Sequence, residues 1–225
     1  MGKFQGIFID FYGTLASGDG QIVETICQSV IEDHGLDLDA AEFAIKWGEV
    51  YFAAIEGVNG TGFRPLLEIE RDTLIDTFMP FAGRIDPDPY IVELNKYLSQ
   101  PDLFDEVQEV LASVSLPVCI VSNADERELR AALEYHNLPI EYVVSSEKAR
   151  SYKPEPEIFG AALQLTGWDR KNVLHIGDSL HSDIWGAHKA GLKAAWVCRG
   201  DRISDIGTEM PDFSWSDLRP MISLQ

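Results

Sequence analysis

Short apolar runs that each stop at a polar residue set the tightest limit on how this chain folds. Lys3 to Phe11 is nearly continuous apolar sequence around Asp10, with Gln5 and Gly6 as early breaks. Leu116 to Val121 stops at Ser122-Asn123, Ile140 to Val144 at Ser145-Ser146, and Val173 to Ile176 at Gly177-Asp178. Ala194 to Val197 is expected as the last strand. Unbroken runs of this length read as strands covered on both faces. Helical patterns separate them at Phe104–Val114, Glu126–Tyr135, Pro156–Thr166 and Ser182–Ala190, with Gly191 placed to close the last. Such alternation predicts an α/β fold, a parallel sheet with helices on both faces. Parallel strands deliver their carboxyl ends to one edge, where ligands bind. Asp10, Ser122, Asn123 and Asp178 should therefore converge.

Residues 20–100 read differently. Ile22, Ile26, Val30 and Ile31 repeat at helical spacing, and Leu38, Phe43, Trp47, Val50, Tyr51 and Ala54 do so again, with Asp37 or Asp39 as N-cap. Glu56 to Gly62 breaks the pattern. Leu66 to Phe81 is a third helix, expected to end at Pro80 and Gly83. Asp86-Pro87-Asp88-Pro89 opens a fourth, Tyr90 to Leu98. Ala16 to Gly20 reads as a turn or small flap leading into this helical insertion.

A chain of 225 residues with 45% apolar content can bury one sizeable core carrying an insertion. Its net charge of −19 argues against nucleic acid and anionic membranes as partners. No run approaches membrane-helix length. The start, Met-Gly-Lys-Phe-Gln-Gly, enters the first strand at once and leaves no room for a signal peptide. Cys27, Cys119 and Cys198 have no metal spacing, and they are expected as reduced core thiols in the cytoplasm.

The converging residues suit one chemistry. Asp10, Asp178 and Asp183 supply hard oxygen ligands, which suit Mg²⁺. Gly13 permits a tight turn after Asp10. Thr14, Ser122 and Asn123 can bind the oxygens of an oxyanion, and Lys153 adds a cation. A carboxylate nucleophile, a divalent cation, a lysine and small hydroxyls make a phosphoryl-transfer set acting through an aspartyl-phosphate on a small phosphate ester. Each piece alone has an ordinary reading: Asp10 as a helix cap, Lys153 as a solvated lysine, Ser122 as a turn residue. Their joint placement at strand ends carries the inference.

Across its whole length the chain resembles the haloacid dehalogenase (HAD) superfamily of hydrolases. The likeness rests on Asp10-Phe11-Tyr12-Gly13-Thr14-Leu15, Val121-Ser122-Asn123, Lys153-Pro154, and Gly177-Asp178-Ser179-Leu180-His181-Ser182-Asp183. It implies a Rossmann-like core of residues 1–19 and 101–225 with an all-helical cap of residues 20–100. It implies Asp10 as nucleophile, Ser122 binding the transferred group, and Lys153 supporting the nucleophile. Asp178, with Asp183 beside it, would hold Mg²⁺. The Tyr12 backbone carbonyl would ligate the metal too, and Tyr12 and Gly13 would border the substrate.

Tyr12 departs from the phosphatase pattern. Phosphatases of this superfamily usually carry Asp there as general acid and base, and a tyrosine is a poor base at neutral pH. The superfamily's L-2-haloacid dehalogenases carry an Asp-x-Tyr-Gly-Thr-Leu motif very like this one. They expel halide, which needs no proton, and use no metal. Yet they typically have Ser in place of Asp178, Asn in place of Leu180 and Tyr in place of Phe159, together with a cap arginine that grips the substrate. That arginine has no match here: Lys46 and Trp47 stand near its place, and Arg64 and Arg71 lie further on. Three readings stand: a Mg²⁺-dependent phosphatase, a metal-independent dehalogenase, and a non-catalytic binder of a phosphorylated ligand. The Asp178–Asp183 end favours the first. Lys46, Trp47, Tyr51, Asn59 and Arg64 are candidate cap contacts, although Trp47 and Tyr51, four apart, equally fit a helix's buried face. His175 reads as structural, and His181 either as a substrate contact or as a substitute proton carrier.

Overall fold

A computed structural model describes residues 4–199 and 207–224. Lys3, the expected start of the first run, lies outside them. In chain order, β1 (Gly6–Ile9) and a short β2 (Ala16–Ser17) precede four helices, α1 (Asp19–Asp33), α2 (Ala40–Glu56), α3 (Leu66–Ala82) and α4 (Asp88–Ser99). Then come β3 (Asp102–Leu103), α5 (Val107–Ser113), β4 (Val118–Ser122), α6 (Glu126–Tyr135), β5 (Tyr142–Ser145), α7 (Ser146–Ala149) and α8 (Pro156–Thr166). The chain continues through β6 (Val173–Gly177), a π-helical turn at Leu180–Trp185, α9 (Gly186–Lys189), β7 (Lys193–Val197) and β8 (Phe213–Trp215).

The main sheet has the order β5-β4-β1-β6-β7-β8, and its strand pairs are all parallel. β1 lies at the centre, with Ile9 level with Ile120 of β4 and Ile176 of β6. The chain moves outward from β1 in both directions, so the crevice beyond its carboxyl end is the topological switch point. Ile7 and Ile9 pack on one face with Val107, Val110, Leu129 and Met221. Phe8, between them in sequence, packs on the other with Ile158, Phe159 and Ala187. This strict alternation on a strand buried at every residue is why the run shows no polar face in sequence.

The four helices from Asp19 to Ser99 bury an apolar cluster of their own, which includes Val30, Phe43, Trp47, Ile69, Phe78 and Leu94. Asp39 is the cap of α2, its carboxylate accepting from the Glu42 N–H at 2.8 Å. Among the described residues no helix is long and apolar enough to cross a membrane.

Several expectations need correction. Pro80 does not end α3, which runs through it to Ala82 and stops at Gly83 (φ +68°). Its ring removes one i→i−4 hydrogen bond, and α3 continues only two residues past it. Ala194–Val197 is not the last strand, because Phe213–Trp215 adds a sixth beside it. Ala16 and Ser17 pair with Leu103 and Asp102 rather than forming a free flap. The helix expected from Ser182 begins as the π turn at Leu180. Cys27 and Cys119 are buried, but Cys198 is exposed just past the end of β7.

Candidate active site

The site starts where β1 ends. The Asp10 N–H bonds the Ile176 carbonyl at 2.9 Å, and the chain then turns through Gly13. Gly13 has φ +83°, and a Cβ there would meet the Asp178 carboxylate at 2.7 Å. Glycine is required by both the backbone and the close approach. Asp10 is buried, and one oxygen, Oδ1, accepts from Lys153 Nζ at 2.6 Å and Ser122 Oγ at 2.9 Å. The single Thr14 hydroxyl hydrogen is shared between Asp10 Oδ2 at 3.4 Å and Asp178 Oδ1 at 3.2 Å.

Asp183 completes the floor. Its Oδ1 accepts from Lys153 Nζ at 2.6 Å and His175 Nε2 at 2.9 Å, and its Oδ2 from the Ser179 N–H at 3.0 Å. Gly177 makes this fold-back possible, because a Cβ there would lie 2.1 Å from the Asp183 carboxyl carbon. Burial opposes the charge on Lys153, but Asp10 and Asp183 outweigh it and keep the amine protonated. Burial would raise Asp183, yet Lys153 and His175 hold it well below the usual carboxylate range. Burial raises Asp10, and Lys153 only partly offsets this. Burial also keeps His175 neutral, so its Nε2–H donates to Asp183.

Asp10, Asp178 and Asp183 each place a carboxylate oxygen within 4.8 Å of the others. Asp10 and Asp183 share Lys153, and the three carboxylates bring hard oxygen donors together in a poorly solvated place. That is a donor set for a hard divalent cation such as Mg²⁺. The main-chain carbonyl of Tyr12, expected as a further ligand, lies in the same turn.

Two expected residues have their side chains committed elsewhere. Asn123 clasps the Lys153 backbone, donating to its carbonyl at 3.1 Å and accepting from its N–H at 2.7 Å. It thereby aims the lysine and lines the cavity wall. Tyr12 donates its phenol hydrogen to the Leu98 carbonyl at 2.6 Å. Burial and the charges of Glu128, Asp10 and Asp125 push its pKa above the ordinary tyrosine value.

Above the floor lies a cavity of about 250 Å³, walled by the helical layer. Trp47 and Tyr51 line it, whereas Lys46, Asn59 and Arg64 do not. Lys46 lies over the Phe43 and Phe81 rings, Asn59 accepts from the Tyr152 N–H, and Arg64 pairs with Asp72. His181 is not among the lining residues either. It faces Glu56 and the rings of Phe52 and Trp185. Lys153 is the one basic residue on the wall among the described residues.

Sequence reasoning missed Glu70. It lines the cavity from α3, and burial with a smaller push from Asp125 raises its carboxyl to about 8. The available signal was helical spacing: Leu66, Ile69, Thr73 and Leu74 form the buried stripe of α3, and Glu70 falls within it. Arg199 was missed too. It holds the Thr14 carbonyl at 2.8 Å, pairs with Glu106 and lies over Phe104, fixing the turn behind the nucleophile candidate.

Fold and site together define an α/β protein with a carboxylate centre at the switch point of a parallel sheet. Residues 4–191 match the haloacid dehalogenase-like hydrolase family, and the chain belongs to it. A glyceraldehyde 3-phosphate phosphatase of Pyrococcus abyssi is 41% identical over 60 residues, covering 27% of this chain and 25% of that protein. An (S)-2-haloacid dehalogenase of a Pseudomonas species is 25% identical over 126 residues, 54% of each chain. The chain thus spans between a quarter and about half the length of these curated relatives. A crystal structure of an L-2-haloacid dehalogenase superposes with a TM-score of 0.81 at 17% identity, covering 99% of this chain and 98% of that one. At that identity the likeness is one of fold.

Proposed function

We propose that this hydrolase is a Mg²⁺-dependent phosphatase that acts through an aspartyl-phosphate on Asp10, with residues 20–100 as a cap over the core of residues 1–19 and 101–225. The observation that carries this reading is the cluster of Asp10, Asp178 and Asp183 oxygens within 4.8 Å of one another, with Lys153 paired to Asp10 and Asp183. Mg²⁺ held there by Asp10, Asp178 and the Tyr12 carbonyl, with Asp183 beside it, would neutralise the repulsion between the nucleophile and an anionic phosphate.

Asp10 Oδ1 is fixed by Lys153 and Ser122, which leaves Oδ2 to attack phosphorus. Oδ2 forms the new P–O bond as the ester oxygen leaves with its electron pair. Ser122 and Thr14 border the transferred group, and the third Lys153 N–H is left to donate to its oxygens. Asn123 and Asp183 hold the lysine in place from its two ends. Water then attacks phosphorus and frees Asp10. The acid that would protonate the leaving oxygen is missing at Tyr12, so esters with good leaving groups are the favoured substrates.

The test is hydrolysis of p-nitrophenyl phosphate with Mg²⁺ and with EDTA, alongside Asp10→Asn. Turnover that needs the metal and is abolished by Asp10→Asn supports the reading. The dehalogenase reading draws on Tyr12 and on the (S)-2-haloacid dehalogenase relative. It conflicts with a wall whose acids include Asp10, Asp19, Asp178 and Asp183, which oppose a carboxylate substrate, and whose one basic residue among the described residues is Lys153. Chloride release from L-2-chloropropionate under chelator, without phosphatase activity, would establish it instead. Stabilisation by a phosphate ester without turnover of either kind would mark a non-catalytic binder.

A further inference from the structure

We infer that Glu70 is the specificity-determining residue of the cavity and selects phosphate esters whose leaving group carries a protonated amine. The inference rests on the phosphatase reading for the bond broken and adds the chemistry of the group that leaves.

Glu70 is half-buried beside the inward stripe of α3, and its carboxyl borders the cavity. Trp47, Tyr51, Phe52 and Leu66 share that wall. A carboxyl in such surroundings costs free energy unless a donor faces it. Among the described residues no hydrogen bond or ion pair reaches the Glu70 side chain. The charged group that acts on it is Asp125, an anion, whose own oxygens are occupied by the N–H groups of Leu66 and Leu67. The basic residues of the helical layer nearest in sequence are engaged away from the cavity, Arg64 with Asp72 and Arg71 with Asp88.

The cavity is therefore the place from which a ligand would reach the Glu70 carboxyl. An ammonium group meets each demand. It supplies donors, cancels the carboxylate charge, and is attracted by the aromatic faces beside it. Burial raises the Glu70 carboxyl to about 8, and an adjacent cation is the ligand that returns it to the ionised form. Glu70 comes from α3 and Asp10 from the end of β1, so the two carboxyls border the cavity from different elements.

The experiment compares kcat/KM for para-(aminomethyl)phenyl and para-(aminoethyl)phenyl phosphate with that for para-ethylphenyl and para-propylphenyl phosphate, in Mg²⁺, with p-nitrophenyl phosphate as reference. We expect the better aminated ester to be favoured about tenfold or more over its neutral counterpart. In Glu70→Gln that ratio falls to near unity, and in Glu70→Asp it is partly retained. A wild-type ratio at or below unity for both pairs, or a ratio unchanged in Glu70→Gln, overturns the inference. If no ester at all is hydrolysed, the phosphatase reading fails separately. Calorimetric titration with benzylamine against benzyl alcohol then decides Glu70 alone. Amine binding lost in Glu70→Gln supports the inference, and absent or unaltered amine binding overturns it.

Discussion

The Tyr12 phenol hydrogen is held by the main-chain carbonyl of Leu98, 2.6 Å away and 86 residues on in sequence. The bond ties the turn after β1 to the last helical turn of α4. A proton committed to that carbonyl, on a phenol pushed above its ordinary pKa, does not serve a leaving group. Phosphatase activity should fall steeply as the leaving-group pKa rises. Tyr12→Asp should flatten that dependence, raising turnover of phenyl phosphate relative to p-nitrophenyl phosphate by about tenfold or more, within the range of general acid catalysis. An unchanged dependence would show that proton transfer is supplied from elsewhere.

Lys153 is buried between two buried carboxylates. Lys153→Met leaves both without their cation. Such a loss costs about 3–5 kcal/mol. Urea unfolding should report it as a lower midpoint with little change in slope, together with loss of p-nitrophenyl phosphate turnover. A stability change below about 1 kcal/mol would mean that the carboxylates are solvated rather than buried.

Asp125 lies just before α6, yet it caps α3. Its two oxygens accept from the Leu66 and Leu67 N–H groups at 2.6 and 3.0 Å, where Pro65 has no side chain that could cap the helix. Asp125→Ala should cost about 1–2 kcal/mol. Hydrogen exchange should quicken at Leu66 and Leu67 in particular. Unchanged protection at those two amides would contradict the cap.

Glu70 also gives stability a pH signature. Its folded pKa is about 8 against an ordinary value of 4.5. Between those values the unfolded chain has released a proton that the folded chain retains, so this group lowers stability as pH rises from about 4.5 to 8, and the loss then levels off. Glu70→Gln should remove up to about 1.4 kcal/mol per pH unit of that slope. In thermal melts the variant should be the more stable at pH 8 and equal to wild type at pH 4. Equal melts at both would place the carboxyl in water.

Sequence was informative where one residue's setting is decided by its own run. A nearly continuous apolar stretch around Asp10 reads as a covered strand, and parallel strands share an edge, so Asp10, Ser122, Asn123 and Asp178 were legible as one set in the sequence, to which their chemistry and the family motifs added Lys153 and Asp183. Less was legible where the signal was short or masked by neighbours. Phe213–Trp215 is a three-residue edge strand, too brief to show a period. Glu70 stands in the charged run Glu68 to Asp72, which reads as a solvated face unless the helix phase is followed.

The chain by itself determined the α/β alternation, the helical insertion and the identity of the acidic centre, because these follow from local periodicity and from the shared direction of parallel strands. Only the tertiary structure decided that Tyr12 is spent on Leu98, that Asn123 serves the Lys153 backbone, and that Glu70 rather than Lys46 or Arg64 faces the cavity. Those outcomes depend on distances between elements far apart in sequence, and on which side chain finds its partner first-hand across that gap, which no local pattern encodes.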